Sequence, residues 1–278
     1  MKLSVASLQK NNSRHMLEWF AWYRIMGVET FYIYDHGSTD NSAEMYEKLA
    51  KHLDIKYHLF LGNDAAPRFT QHYLATYNSP NLQDWIIQAD SDEFYYPVEK
   101  ESIHAVLESM MTRQIGCLGV YWVMFGSNGQ IDWEKGLVTE TYVRRSPLNH
   151  RLNHHIKSIV RCNGAAVHST GNHHIHSSQY GTVDVEGRAI YQPFNYPGEI
   201  THNVLRINHY YNKSLEYFKT VKQVVGQRAD RADNAPGAHI SEEFWRSQDL
   251  NDEYDDSIWV RFGDKLQAEY DNLRKLIA

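Results

Sequence analysis

Ile86-Ile87-Gln88-Ala89-Asp90-Ser91-Asp92-Glu93-Phe94 is the stretch from which the rest of the chain can be read. An apolar run of the kind that forms a buried strand empties directly into an Asp-x-Asp pair followed by Glu. In extended backbone, side chains at i and i+2 point the same way, so Asp90 and Asp92 can aim oxygens at one ion. Hard divalent cations take oxygen ligands and commonly bridge to phosphates. Carboxylates at 90, 92 and 93 also repel one another, which favours a compensating cation. The bland alternative is a solvated acidic turn capping a helix. Placement after a buried strand favours the metal reading.

Working outward, the flanking sequence alternates strand and helix patterns. Lys2 to Leu8 is β-prone and ends at the polar turn Gln9-Lys10-Asn11-Asn12. Met16, Trp19, Phe20 and Tyr23 then fall on one face of a helix, which Gly27 closes as a C-cap. Thr30 to Tyr34 is β-branched or aromatic throughout and reads as a strand, followed by the turn Asp35-His36-Gly37-Ser38-Thr39-Asp40. Asn41 with Glu44 resembles a capping box that opens a second helix. Ile55 to Phe60 is a third strand, a helix is expected around Phe69 to Tyr77, and Trp85 to Ala89 is the fourth strand. Ile103, Val106, Leu107 and Met110 mark another helix before a fifth strand, Cys117 to Phe125. This alternation implies βαβ units and a mostly parallel sheet, which binds ligands at the carboxyl ends of its strands. Gln9 to Asn12, Asp35 and Asp90 should therefore meet on one rim. Asp35 there either accepts hydrogen bonds from a nucleoside or simply forms its turn.

Beyond residue 126 the alternation weakens. Strand-like pieces remain at Ser158 to Arg161 and Val204 to Ile207, and helices are expected at Ser214 to Val225 and Asp255 to Ile277. We read one catalytic domain, 1–212, with a helical C-terminal extension, 213–278, packed on it.

Composition limits the function classes. A net charge of -6 over 278 residues gives no drive toward a nucleic-acid backbone. Cys117 and Cys162 fit neither a disulfide framework nor a zinc pattern. No apolar stretch is long enough for a signal peptide or a membrane span, so a cytoplasmic protein is expected, with peripheral membrane contact at most. Tyr (19), Trp (7) and His (16) are abundant. Most such rings fill cores, but rings also stack on sugars, and imidazole binds metals or moves protons.

Several blocks, in order over roughly residues 3 to 220, resemble glycosyltransferase family 2 and its GT-A relatives, and most closely the family 92-type branch. They are LQKNNSRHMLEWFAWYRIMGVETFYIYDHGSTDNS, WIIQADSDEF, YWVMFGSNG, HHIKSIVR and RINHYYNKSLEYFKT. One departure is that the family's Lys-Asn-Glu reads Lys10-Asn11-Asn12. The resemblance implies an α/β GT-A (Rossmann-like) fold with a mostly parallel central sheet flanked by helices. It also implies a nucleotide-sugar donor, with a UDP-sugar favoured, and Mn²⁺ or Mg²⁺ held by Asp90 and Asp92. Gln9, Lys10, Asn11 and Asp35 would lie near the nucleotide. His209 would complete the metal shell, and Lys157 would meet the diphosphate, with Lys213 a weaker candidate for that contact. Transfer to a glycan or glycolipid hydroxyl by inversion needs a base, for which Asp132, Glu134 and Glu93 are candidates; Glu93 could instead anchor the loop. The cluster His168, His173, His174 and His176 could line the acceptor pocket or compete with His209. It also supports an alternative, a His-cluster metal-dependent hydrolase or oxygenase. A non-catalytic glycan-binding protein is a further alternative. The oligomeric state is not readable from the sequence.

Overall fold

The computed structural model describes residues 1–61, 75–78, 84–169, 173–223 and 241–278. Its centre is a nine-stranded sheet among the described residues. Four strands, β1 (Leu3–Gln9), β2 (Thr30–Asp35), β3 (Asp54–Leu59) and β4 (Trp85–Gln88), run parallel in the order β3-β2-β1-β4. These are the first four expected strands, displaced by a residue at most. Of the helix expected around Phe69 to Tyr77, all but the last turn lies outside the described residues.

The second half of the sheet departs from simple alternation. β5 (Glu93–Pro97) follows β4 almost at once, and β6 (Cys117–Met124) is the expected fifth strand. After the two-residue β7 (Arg144–Arg145), β8 (Ile156–Arg161) inserts antiparallel between β4 and β6. A small hairpin, β9 (Val167–Ser169) and β10 (Ile175–Ser177), stands off the sheet, and β11 (Thr182–Val183) pairs with β6. β12 (Leu205–His209) runs parallel to β6 and antiparallel to β5, so residues 93 and 209 are register partners. β13 (Glu253–Tyr254) pairs with β7.

Helix α1 (Met16–Ile25) is buried on nearly every side, because the sheet lies on one flank and the C-terminal helix on the other. Its Trp19, Trp22 and Tyr23 are fully buried, and burying a large apolar side chain contributes about 1.5–3 kcal/mol each. The helix ends where expected: Gly27 takes φ +95°, a conformation that costs other residues. α2 (Ser42–Leu49) departs from the expected capping box. Asn41 makes no side-chain cap; Asp40 accepts the Ser42 N–H at 3.0 Å instead. α3 (Ile103–Glu108) is capped by Ser102. The short α4 (Val138–Thr141) has its leading N–H groups held by the buried Glu18 carboxylate, 2.6 Å from Val138 N and 2.9 Å from Thr139 N.

The expected 214–225 helix is α5 (Leu215–Tyr217) running into a π-helical turn, Phe218–Lys222. α6 (Glu242–Ser247) precedes α7 (Ser257–Ile277). α7 buries Ile258, Phe262, Leu266 and Leu273 in the same core as α1, with the Phe262 ring edge-on to Trp22 at 5.5 Å. No helix of the described residues is long and apolar enough to cross a membrane.

Candidate active site

The acidic stretch after β4 is a tight turn, not the extended segment anticipated from the sequence. Glu93 N–H donates to the Asp90 carbonyl at 3.2 Å, and the Glu93 carboxylate accepts the Asp90 N–H at 2.8 Å. The chain must reverse here because β5 begins at Glu93, so the i, i+2 rule for strands does not apply. Rings of α1 hold the turn from behind. Trp19 Nε1 donates to the Asp90 carbonyl at 3.0 Å, and the Tyr23 hydroxyl to the Glu93 carbonyl at 2.9 Å. The aromatic face of α1 thus fixes the acidic turn as well as filling the core.

Asp90 and Asp92 meet different cations. Asp90, about a third exposed, accepts from Lys157 Nζ at 2.7 Å. Asp92 is only 4% exposed, and its Oδ2 lies 2.6 Å from Lys222 Nζ. Burial alone would raise the Asp92 pKa, but Lys222 and His209 outweigh it and hold the carboxyl well below its usual range. Lys157 is fully buried in β8. Burial opposes its charge, but Asp90, bonded to its ammonium, outweighs that and keeps it protonated. Burial, with the charges of Asp90 and Asp92 adding to it against Lys157, drives Glu93 well above the usual carboxylate range. Glu93 is therefore a neutral acid that braces the turn. Its Oε1 has no partner among the described residues.

His209 Nε2 sits 3.5 Å from Asp92 Oδ1, and its buried Nδ1 has no partner among the described residues. Burial lowers the His209 pKa, which favours the neutral, metal-ligating imidazole. Among the described residues no group of three or more His, Cys, Asp or Glu side chains is arranged to hold a metal ion. Asp92 and His209 nevertheless offer an oxygen and a nitrogen from adjacent positions. That suits an ion such as Mg²⁺, held by one or two protein groups with substrate phosphates and water completing the shell. The donor set thus fits a divalent ion that arrives with a diphosphate.

The remaining candidates fall into two groups. The rim turns do come together: Asn11 N–H donates to Ser38 Oγ at 2.9 Å, and Asn11 Oδ1 accepts the Thr39 N–H at 2.7 Å. Asp35 and Gln9 lie beneath this rim. Asp35 is fully buried; its Oδ1 accepts from Ser38 and its Oδ2 from the Tyr57 hydroxyl at 2.8 Å. Gln9 Oε1 accepts from the Tyr46 hydroxyl at 2.6 Å. Lys10 is half-buried on the same loop. In the second group, Glu134 accepts from Arg14 (3.1 Å), His15 (2.7 Å) and the Tyr142 hydroxyl (2.8 Å). Its burial would raise the pKa, but these partners bring it down to about 2. Asp132 is exposed on a loop tied to α5, where Leu215 N–H donates to the Gln130 carbonyl at 3.1 Å and Glu216 N–H to the Ile131 carbonyl at 2.9 Å. Lys213 is buried, with Nζ 4.3 Å from the Tyr217 ring centre.

The histidine cluster spreads along the β9–β10 hairpin. His168 and His176 are cross-strand partners, and His174 is buried. His173 instead lies edge-on to Trp122 at 5.3 Å, and Trp122 touches His209 at 4.3 Å. Lys222 is the site residue that sequence reasoning missed. It lies within the helix expected at 214–225, but nothing local ties it to a carboxylate 130 positions earlier.

The site is thus an acidic strand-end turn on a mostly parallel, helix-flanked sheet. The chain belongs to glycosyltransferase family 92, whose family model matches residues 3–246. Solved structures similar in fold include a fragment of TarS from S. aureus in complex with UDP, at 17% identity and TM-score 0.39, covering 58% of this chain and 47% of that one. Glucosyl-3-phosphoglycerate synthase from M. tuberculosis with Mn²⁺, UDP and glucosyl-3-phosphoglycerate is similar at 13% identity and TM-score 0.29, covering 44% of each chain. The matched regions span less than half of those proteins. No curated protein matches the chain.

Proposed function

We propose that this glycosyltransferase moves a sugar from a nucleotide-diphosphate sugar, a UDP-sugar by preference, to a hydroxyl of a glycan or glycolipid, with Mn²⁺ or Mg²⁺ held by Asp92 and His209 and Asp90 beside them. The observation that carries this reading is Asp92, a buried, ionised carboxylate facing both an ammonium and a neutral imidazole. The ion would supply charge compensation to the departing diphosphate.

The chain's own groups do the rest. Lys157 and Lys222 are fixed positive charges on either side of the acidic turn, suited to phosphate oxygens as the leaving group gains charge. Glu93, kept neutral, holds the turn rigid without adding a third negative charge. Asn11 locks the 35–40 turn against the 9–12 loop, so that Gln9, Lys10, Asn11 and Asp35 shape the nucleoside end through the backbone of this rim. In a single displacement with inversion, a bond forms between the acceptor oxygen and the anomeric carbon. The bond from that carbon to the β-phosphate oxygen breaks, its electron pair leaves with the nucleotide, and the hydroxyl proton passes to a base. Glu134 is saturated by donors and Glu93 is neutral, so Asp132 is the carboxylate of the three that remains to take it. A cytoplasmic setting, with membrane contact if the acceptor is a glycolipid, belongs to the same proposal.

Thermal unfolding with UDP, with and without Mn²⁺, tests this. UDP should raise the midpoint in a Mn²⁺-dependent manner, by mass action, and Asp92→Ala should remove the Mn²⁺-dependent part. An undiminished shift in Asp92→Ala would overturn the assignment.

A further inference from the structure

Three non-glycine residues among those described carry a positive φ: Asn11 at 51°, Asn128 at 53° and Lys213 at 46°. Asparagine tolerates this left-handed region, because its short polar side chain bonds locally. Lysine gains nothing comparable, and such a conformation persists only where the surroundings impose it. Lys213 is also only 1% exposed. Burying a charge without a partner is among the costlier things a fold can do. Yet the Lys213 ammonium has no hydrogen bond or ion pair among the described residues, and only the Tyr217 ring lies against it, 4.3 Å away. Lys157 and Lys222, by contrast, hold Asp90 and Asp92 at 2.7 Å and 2.6 Å.

The carboxylates around it are already taken. After burial, the largest single influence at all three, the charge of Lys213 is felt at His15, Glu18 and Asp92. Asp92 is bonded to Lys222. Glu18 accepts from Val138 N, Thr139 N and Thr139 Oγ1. Glu134, which holds His15, also accepts from Arg14 and Tyr142. The place of Lys213 is fixed from both ends. His209 precedes it at the end of β12. Directly after it, Ser214 Oγ accepts the Tyr217 N–H at 3.1 Å and caps α5. Leu215 N–H then ties α5 to the Gln130 carbonyl, on the loop of Asp132. The Tyr217 ring meets His15, at the start of α1, edge-on at 5.4 Å. Lys213 therefore stands between the acidic turn and the loop of Asp132.

The structure assigns Lys213 as the seat of an oxyanion, a phosphate or carboxylate group that a substrate brings and that supplies the counter-charge the fold withholds. A lysine is a point charge well suited to such oxygens. One already held in place, in a dry setting and with no carboxylate to leave, meets an anion without reorganising. Lys157 and Lys222 differ, since each must share its charge with the acidic turn. The seat stands on geometry alone. The two sources of its ligand rest on the transferase reading: the departing diphosphate, or an acidic group carried by the acceptor.

The test titrates inorganic phosphate into the full chain by calorimetry, with the protein free or saturated with UDP and Mg²⁺, and compares wild type with Lys213→Met. The wild type should bind phosphate, and the variant should bind it about tenfold more weakly, the loss of one hydrogen bond from a charged donor. Without ligand the variant should melt at or above the wild type, because it sheds an unpaired buried charge. A lysine needed only for the fold would do the reverse. Phosphate displaced by UDP places the leaving diphosphate in the seat; phosphate bound alongside UDP places an acidic group of the acceptor there. The inference is overturned if phosphate does not bind the wild type, or if it binds the variant equally well. It is overturned too if the variant melts well below the wild type or fails to fold. Failure of UDP to bind, with phosphate binding intact and dependent on Lys213, would instead sink the transferase reading and leave the seat standing.

Discussion

Replacing Lys222 with Met removes one partner of a buried ion pair while keeping most of the side chain's bulk. Asp92, 4% exposed, would then face only the neutral His209. Breaking a buried pair by removing one partner costs about 3–5 kcal/mol. The Lys222 side chain is 22% exposed, so the loss should sit near the low end, about 3 kcal/mol. For a chain of this size that is a fall of about 6–12 °C in the metal-free melting point. The same substitution should help a divalent ion, which in the wild type must displace the ammonium from Asp92. Mn²⁺ affinity without nucleotide should rise about tenfold, equivalent to about 1.4 kcal/mol, and saturating Mn²⁺ should recover much of the lost stability. Calorimetric titration with MnCl₂ and thermal unfolding at low ionic strength read both effects, with Lys222→Arg as the charge-preserving control. A variant that melts like the wild type, or that binds Mn²⁺ more weakly, would refute the argument that Lys222 and the ion compete for one carboxylate.

Other outcomes follow from the same geometry. Glu134 has its folded pKa at about 2, below its ordinary 4.5. The stability it contributes is thus fully present above pH 4.5 and lost as pH falls toward 2; urea midpoints of Glu134→Gln and wild type should differ at pH 6 and converge near pH 2, and equal midpoints at pH 6 would contradict this. Glu18 is pushed up to about 7 by burial, so its contribution is present below pH 4.5 and lost as pH rises through 7; Glu18→Gln should flatten the stability decline between pH 4.5 and 7, and an unchanged slope would count against it. Phe262→Ala should cost about 3–5 kcal/mol in one cooperative transition, whereas separate melting of α7 ahead of the sheet would show that the C-terminal helix does not share the core.

The parallel half of the sheet was legible because Thr30–Asp35 and Trp85–Gln88 are largely β-branched or aromatic and all its strands end at polar turns, so Leu3–Gln9, Thr30–Asp35 and Trp85–Gln88 could be placed within a residue. The antiparallel insertion of β8 was not, since it is set by pairing across more than seventy positions to β4 and leaves only a short apolar run in the sequence. The acidic pair was visible, but its geometry was not: the immediate start of β5 turns Asp90 toward Lys157 and Asp92 toward Lys222. Lys157 was named only through family resemblance, because a lysine inside Ile-Lys-Ser-Ile-Val looks like a surface residue until the opposing carboxylates appear. Glu134 looked like a base from its position in the chain; its partners Arg14, His15 and Tyr142 are tertiary neighbours. The contact of Lys222 with Asp92 likewise exists only once β12 and the 218–222 turn are assembled.

Anomalous diffraction from crystals soaked in Mn²⁺ and UDP addresses the central claim most directly. The account predicts a manganese peak within bonding distance of both Asp92 and His209, with Lys222 moved off Asp92. A bound nucleotide with the manganese elsewhere, or with Lys222 still on Asp92 and no metal beside it, would contradict it.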